Sequence, residues 1–215
     1  MKYQTIFWDW NGTIIDDLHI CMQSINTLLK RRSMKLFEKP QDYFDVFCFP
    51  IIEYYRKIGF DYTKEPYIDL ANEYMIEYDK NSKNAKPFND VIAAIKSLNQ
   101  LNMRQIVLSA YEKNALVEWL KVFKIYNYFD DVIGLDNIYA AGKVDIALRW
   151  LENNKIDLSK AVMIGDTTHD CEVAEAMGCD CILLARGHNS EADLRSTGKK
   201  VFNKASELLT YLLLD

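Results

Sequence analysis

Ala161-Val162-Met163-Ile164-Gly165-Asp166-Thr167-Thr168-His169-Asp170 decides how this chain folds. An apolar run breaks at Gly165, polar residues follow, and Glu172–Met177 then reads as a helix ending at Gly178, a suitable C′ residue. Cys181-Ile182-Leu183-Leu184 is the next apolar run. Runs this short and this rich in Val and Ile suit strands buried on both faces of a parallel sheet. The rhythm continues in both directions. Gln105-Ile106-Val107-Leu108, Asp131-Val132-Ile133 and Lys200-Val201-Phe202 are further strand candidates, and Thr5-Ile6-Phe7-Trp8 is the first. Val91, Ile92, Ile95 and Leu98 fall at helical spacing, as do Leu116, Trp119, Leu120 and Phe123, then Val144, Ala147, Leu148 and Leu151. Ser206–Leu214 reads as a final helix over the core. Strands alternating with helices predict a doubly wound α/β parallel-sheet core, Rossmann-like in kind.

The stretch after the first strand breaks that rhythm. Asp17–Arg32, Ile51–Ile58 and Pro66–Tyr78 read as helices, with Tyr43, Phe44, Phe47, Phe49, Tyr54, Tyr55, Tyr67, Tyr74 and Tyr78 among them. These aromatics are expected to serve chiefly as core. The polar run Asp79–Asn84 then leads back toward Pro87. The expectation is a small all-α cap, residues 16–83, inserted into a core of residues 1–15 and 84–215.

Composition narrows the function. The chain has 215 residues, 49% hydrophobic and 27% charged, with a formal net charge of −5. A mildly acidic chain without a basic cluster argues against a nucleic-acid partner. No apolar stretch approaches the roughly 18–20 residues of a membrane span, and Met1-Lys2-Tyr3-Gln4-Thr5 does not open a signal sequence. A cytoplasmic protein without a membrane partner, monomer or homodimer, is expected. The five cysteines include no C-x-x-C pair, so neither a zinc knuckle nor a thioredoxin-like motif is present.

In an open parallel sheet, ligands bind beyond the carboxyl ends of the strands. The first strand ends in Asp9-Trp10-Asn11-Gly12-Thr13, the Leu108 strand in Ser109-Ala110, and the Ile164 strand in Gly165–Asp170. Lys143 follows Gly142 ahead of a helix. Acids, a small hydroxyl and a lysine on one edge suit phosphoryl chemistry. A carboxylate can act as nucleophile, Mg²⁺ can sit between carboxylates and a phosphate, and a hydroxyl, backbone N–H groups and a lysine can hold phosphoryl oxygens.

These four segments, in this order, resemble the motifs of the haloacid dehalogenase-like hydrolases, and the insert resembles that family's helical cap. Phe47-Cys48-Phe49-Pro50 resembles a cap segment of the phosphoglycolate phosphatase-like subgroup, which often has Gly at the place of Cys48. The resemblance implies a Mg²⁺-dependent phosphatase of a small phosphorylated metabolite, acting through an aspartyl-phosphate. It makes Asp9 the nucleophile and a metal ligand, and gives the metal the Asn11 carbonyl, Asp166 and Asp170. Ser109 and the Ala110 N–H would bind the phosphoryl group, with Lys143 neutralising charge.

One position departs from the family pattern. The usual phosphatase motif has a second Asp two residues after the nucleophile, and here Asn11 stands there. An amide hydrogen-bonds but does not exchange a proton, so the catalytic part of Asn11 is reduced. His169 and His188 are the nearby groups able to carry a proton. The alternatives are a catalytically weakened phosphate-binding or regulatory protein on the same scaffold, or a carbon–phosphorus or carbon–halogen hydrolase. Ser109 is also a candidate helix N-cap, Asp166 a candidate cap beside its catalytic part, and His19 a solvated helix residue.

Overall fold

The computed structural model describes residues 2–136 and 142–214. In chain order the elements are β1 (Thr5–Trp8), β2 (Ile15–Asp16), α1 (Leu18–Arg31), α2 (Pro40–Phe44), α3 (Ile51–Ile58), α4 (Tyr67–Ser82), β3 (Lys86–Pro87) and α5 (Asn89–Gln100). Then follow β4 (Arg104–Glu112), α6 (Lys113–Val122), β5 (Asp131–Leu135), α7 (Lys143–Asn153), β6 (Ala161–Gly165), α8 (Thr168–Met177), β7 (Asp180–Leu184), α9 (Glu191–Ser196), β8 (Lys200–Phe202) and α10 (Ala205–Leu214).

Among the described residues, β5-β4-β1-β6-β7-β8 form one parallel six-stranded sheet. The doubly wound, Rossmann-like α/β expectation holds. All four residues of β1 are buried, because the strand lies at the centre with helices over both faces. Side chains alternate between two cores, as the period of a strand requires. Ile6, Trp8, Val107, Val162 and Ile164 face the layer of α5, α6 and α10. Phe7, Ile106, Leu108, Met163 and Leu183 face α7, α8 and α9. Gln105 is the polar exception on the first face. Its Oε1 accepts from Trp8 Nε1 (3.1 Å) and its Nε2 donates to the Ile95 carbonyl (3.0 Å), so the buried amide is satisfied.

β1 has β4 on one side and β6 on the other, and the chain order reverses there. That switch point opens a crevice at the strands' carboxyl ends. Four helices lie between the short antiparallel pair β2 and β3. α1 turns Ile20, Ile25, Leu28 and Leu29 inward, and α4 adds Leu70 and Tyr78. Arg31 donates to Glu77 (2.8 Å), and Arg32 Nε donates to Glu65 (2.8 Å). The five-residue α2 is too short to show a helical period and is not visible in the sequence pattern. α4 runs past Tyr78 into the polar stretch, where Lys80 pairs with Glu77 one turn earlier (2.8 Å).

Candidate active site

Asp9 directly follows β1, and its N–H donates to the Ile164 carbonyl of β6 (2.8 Å), which fixes it in the crevice. Lys143 opens α7 and is buried; its Nζ donates to Asp9 Oδ1 and to Asp170 Oδ1 (2.6 Å). Asp170 is the third residue of α8 and closes a capping box with Thr167. Its Oδ2 accepts from the Asp166 N–H (3.1 Å), the Thr167 N–H (2.9 Å) and the Thr167 hydroxyl (2.8 Å). The cap of α8 is thus Thr167, and Asp166 precedes the helix instead of capping it.

Asp166 is fully buried. Its Oδ1 accepts from the Thr13 hydroxyl (2.8 Å) and its Oδ2 from the His188 N–H (2.6 Å). Two loops close on this carboxylate only because they carry glycine. A Cβ on Gly12, whose φ is +73°, would lie 2.3 Å from Asp166 Oδ2, and one on Gly187 would lie 2.0 Å from it.

Asp9, Asp166 and Asp170 each offer a ligand atom within 4.8 Å of the others, and all three are buried. Burial pushes Asp9 up to about 6, against the pull of Lys143. Burial also raises Asp166 well above the carboxylate range; the charge on His188 opposes this, and Asp9 and Asp170 add to it. Burial would raise Asp170 too, but Lys143 holds it below its ordinary value. Lys143, which burial alone would lower, is raised by Asp170 and Asp9. Three clustered hard oxygen donors, with one ammonium bonded to two of them, fit a divalent cation such as Mg²⁺.

Ser109 is buried beside Asp9 in the crevice wall. The β4–β5 ladder pairs Leu108 with Ile133 and resumes at Glu112 with Leu135, so Ser109–Tyr111 bulge out of the ladder. Ala110 therefore lies outside the regular ladder, next to the Ser109 hydroxyl. Ser109 is not a helix cap. β4 continues to Glu112, whose carboxylate accepts from the Asn114 and Ala115 N–H groups at the start of α6.

Asn11 also lines the crevice, but its amide is committed. Its Nδ2 donates to Asp17 Oδ2 (2.7 Å) and to the Tyr78 hydroxyl (2.9 Å). Asp17, read from sequence as a helix start, makes no side-chain cap and is turned inward. It accepts from the Gly12 N–H (2.8 Å) and the Tyr78 hydroxyl (2.9 Å), and meets His188 Nε2 at 3.2 Å. His188 Nδ1 lies 3.0 Å from the Tyr43 hydroxyl. Asp17, Tyr78 and Tyr43 escape sequence reasoning. Only the inward turn of Asp17, which no periodicity encodes, sets them apart.

Asp17, Cys21 and His188 are also close enough to share an ion. Burial, and then Asp17, push the Cys21 thiol well up, and its Sγ donates to Asp17 Oδ2 (3.5 Å). A protonated thiol is a poor ligand, so this trio is a hydrogen-bonded network. His169 also lines the crevice, stacked on Phe49 (ring centroids 4.4 Å apart) with its Nδ1 2.7 Å from Glu172. His19 is exposed. Tyr43 and Tyr78 belong to the hydrophobic core and Phe47 and Tyr74 pack against it, as expected, and with Phe49 they also line the crevice. The helical segment lies over the carboxyl edge of the sheet, so aromatics that pack on one another also roof the site.

The Asp17–His188 pair has a pH signature. Burial would lower His188, but Asp17 above all raises it from 6.5 to about 9. Burial would raise Asp17, but the charge and hydrogen bond of His188 hold it low. A raised histidine contributes stability that is complete below its unfolded value and is lost as pH rises through its folded value. In metal-free protein, unfolding stability attributable to His188 is expected to fall by roughly 3 kcal/mol between pH 6.5 and about 9. Urea melts across that range should show this slope in the wild type and lose it in His188→Gln. An equal slope in both would refute the pairing.

Comparison with known proteins shows the family and the fold. A family model described as haloacid dehalogenase-like hydrolase matches residues 6–184. The chain is 23% identical over 178 residues to pyrophosphatase PpaX of Listeria innocua, covering 81% of this chain and 79% of that protein. It is 27% identical over 117 residues to phosphoglycolate phosphatase of Vibrio parahaemolyticus, covering 54% and 51%. Its fold is similar to that of a haloacid dehalogenase-like family hydrolase from Streptococcus pneumoniae (TM-score 0.84, 19% identity, covering 98% and 99%). Among the described residues, no helix is long and apolar enough to cross a membrane.

Proposed function

This chain belongs to the haloacid dehalogenase-like hydrolases, and on that premise we propose that it is a Mg²⁺-dependent phosphatase of small phosphorylated metabolites, with Asp9 as the covalent nucleophile. Support comes above all from one observation: three buried carboxylates at a strand-order switch point, two of them bridged by Lys143. A magnesium ion held by Asp9, the Asn11 carbonyl, Asp166 and Asp170 would supply positive charge against which a phosphate dianion can approach the carboxylates.

The chain's own residues do the rest. Asp9 attacks phosphorus, and the ester oxygen leaves with its electron pair. The Ser109 hydroxyl and the Ala110 N–H hold the equatorial oxygens. Lys143 opposes the developing charge and keeps Asp9 aimed. Water then cleaves the phospho-Asp9 bond and releases phosphate. The residues between β2 and β3 are proposed to act as a cap that excludes bulk water. Asn11 donates to Asp17 and Tyr78 and passes no proton to the leaving oxygen. Such help is typically worth about 10²–10⁴-fold, so esters of weakly basic alcohols are expected to turn over best.

Removal of divalent metal is expected to suppress phosphate release from p-nitrophenyl phosphate by at least about 100-fold, with recovery on adding Mg²⁺. Free phosphate measured in EDTA and after back-titration checks this. Full turnover in excess EDTA would contradict it.

A further inference from the structure

Building on the phosphatase reading above, we propose that the natural substrate is a phosphate ester of an uncharged, aromatic, weakly basic alcohol (a phenol- or enol-type leaving group), and that anionic leaving groups are rejected. The crevice beside Asp9 holds a cavity of about 230 Å³, and a second of about 560 Å³ adjoins it. Tyr43, Phe47, Ile51, Tyr74, Met75 and Tyr111 line both, so the leaving group would pass along one aromatic wall.

Charge decides against an anion. The basic groups in the combined lining, among the described residues, are Lys143, His169 and His188. Lys143 is held by Asp9 and Asp170, His188 by Asp17 and Tyr43, and His169 faces Glu172. Residues 137–141 carry no Lys or Arg. The larger cavity instead has Glu112 in its wall. A carboxylate or second phosphate on the leaving group would enter an apolar space unpaired, which is costly.

Two further observations converge. The Asn11 amide is committed to Asp17 and Tyr78 and protonates nothing, so the departing oxygen has to be stable as an anion, as in a phenol or enol. Tyr54, in the wall of the larger cavity, has a buried hydroxyl with no partner among the described residues. A small turn of this ring would let its hydroxyl bond one polar atom of an otherwise apolar group. In the overall reaction, the ester P–O bond breaks and the aryl oxide takes a proton from solvent. Water supplies the oxygen and second proton that complete the released hydrogen phosphate.

The test is steady-state phosphate release by the full Mg²⁺-loaded chain from 1-naphthyl phosphate, 2-phosphoglycolate and pyrophosphate. The expected result is a kcat/KM for naphthyl phosphate at least 100-fold above either anion. Met75→Arg, which puts a cation on the shared wall, is expected to narrow that ratio at least tenfold, mainly through KM. Phosphoglycolate or pyrophosphate matching or exceeding naphthyl phosphate would overturn the inference and leave the phosphatase reading standing. Release from none of the three would overturn the phosphatase reading, and the inference with it.

Discussion

Asp9→Asn is expected to lower turnover of p-nitrophenyl phosphate by at least about 10⁴-fold, roughly 5.5 kcal/mol of transition-state stabilisation. The substitution keeps the shape of the side chain after β1 and removes its charge and the oxygen proposed as nucleophile. Water alone would then have to attack phosphorus, and removal of a nucleophile typically leaves only the catalysis that binding and charge supply. The fold should survive. Burial pushes Asp9 and Asp166 toward neutrality, and Asp170 still holds Lys143, so a neutral amide at Asp9 relieves repulsion there. The expected melting temperature is within a few degrees of the wild type, which separates loss of chemistry from loss of structure. A variant retaining a tenth of wild-type turnover would exclude Asp9 as the nucleophile.

Lys143→Met should damage both stability and activity. Lys143 is buried and donates to two buried carboxylates, Asp9 and Asp170. Asp170 owes its low pKa to that ammonium, against the upward pull of burial. Taking one partner from a buried ion pair leaves an uncompensated charge and costs about 3–5 kcal/mol. In metal-free variant the carboxylates rise above their unfolded values, so the folded state binds more protons than the unfolded one. The deficit is therefore largest near pH 8 and shrinks as pH falls toward 5. Added Mg²⁺ should stabilise the variant more than the wild type. Loss of the phosphoryl-stabilising charge is expected to cost a further 10²–10³-fold in kcat. Urea melts with and without Mg²⁺ at both pH values check the first part. Unchanged stability at pH 8 would show that Lys143 is not the counter-charge of this cluster.

The sheet was legible because its strands are short apolar runs with interruptions at regular places, and Ile106, Val107, Met163 and Ile164 are buried as such runs require. The acids at the strand ends were legible for the same reason: a polar residue after a buried strand has only the crevice to enter. Lys143, Ser109 and Asp170 lie where that logic puts them, around Asp9. Asp17 was not legible, because an acid before a helix ordinarily caps it, and its inward turn depends on Tyr78 and His188, 61 and 171 residues away. The double use of the aromatics was hidden too. Tyr43 stacks on Phe47 (4.9 Å) and also lines the crevice, and no sequence pattern separates those tasks. Asn11 was legible as a departure, but its donation to Asp17 and Tyr78 needed coordinates.

The proposed mechanism requires a phosphoryl group to pass through Asp9. Rapid acid quench during turnover of p-nitrophenyl phosphate, with Mg²⁺ present, followed by peptide mass mapping, measures this directly. Because Asn11 is poorly suited to activate the hydrolytic water, phosphorylated Asp9 is expected to accumulate to a substantial fraction of the enzyme. Brisk phosphate release with the Asp9 peptide never carrying a phosphoryl group, at any time from milliseconds to steady state, would contradict it.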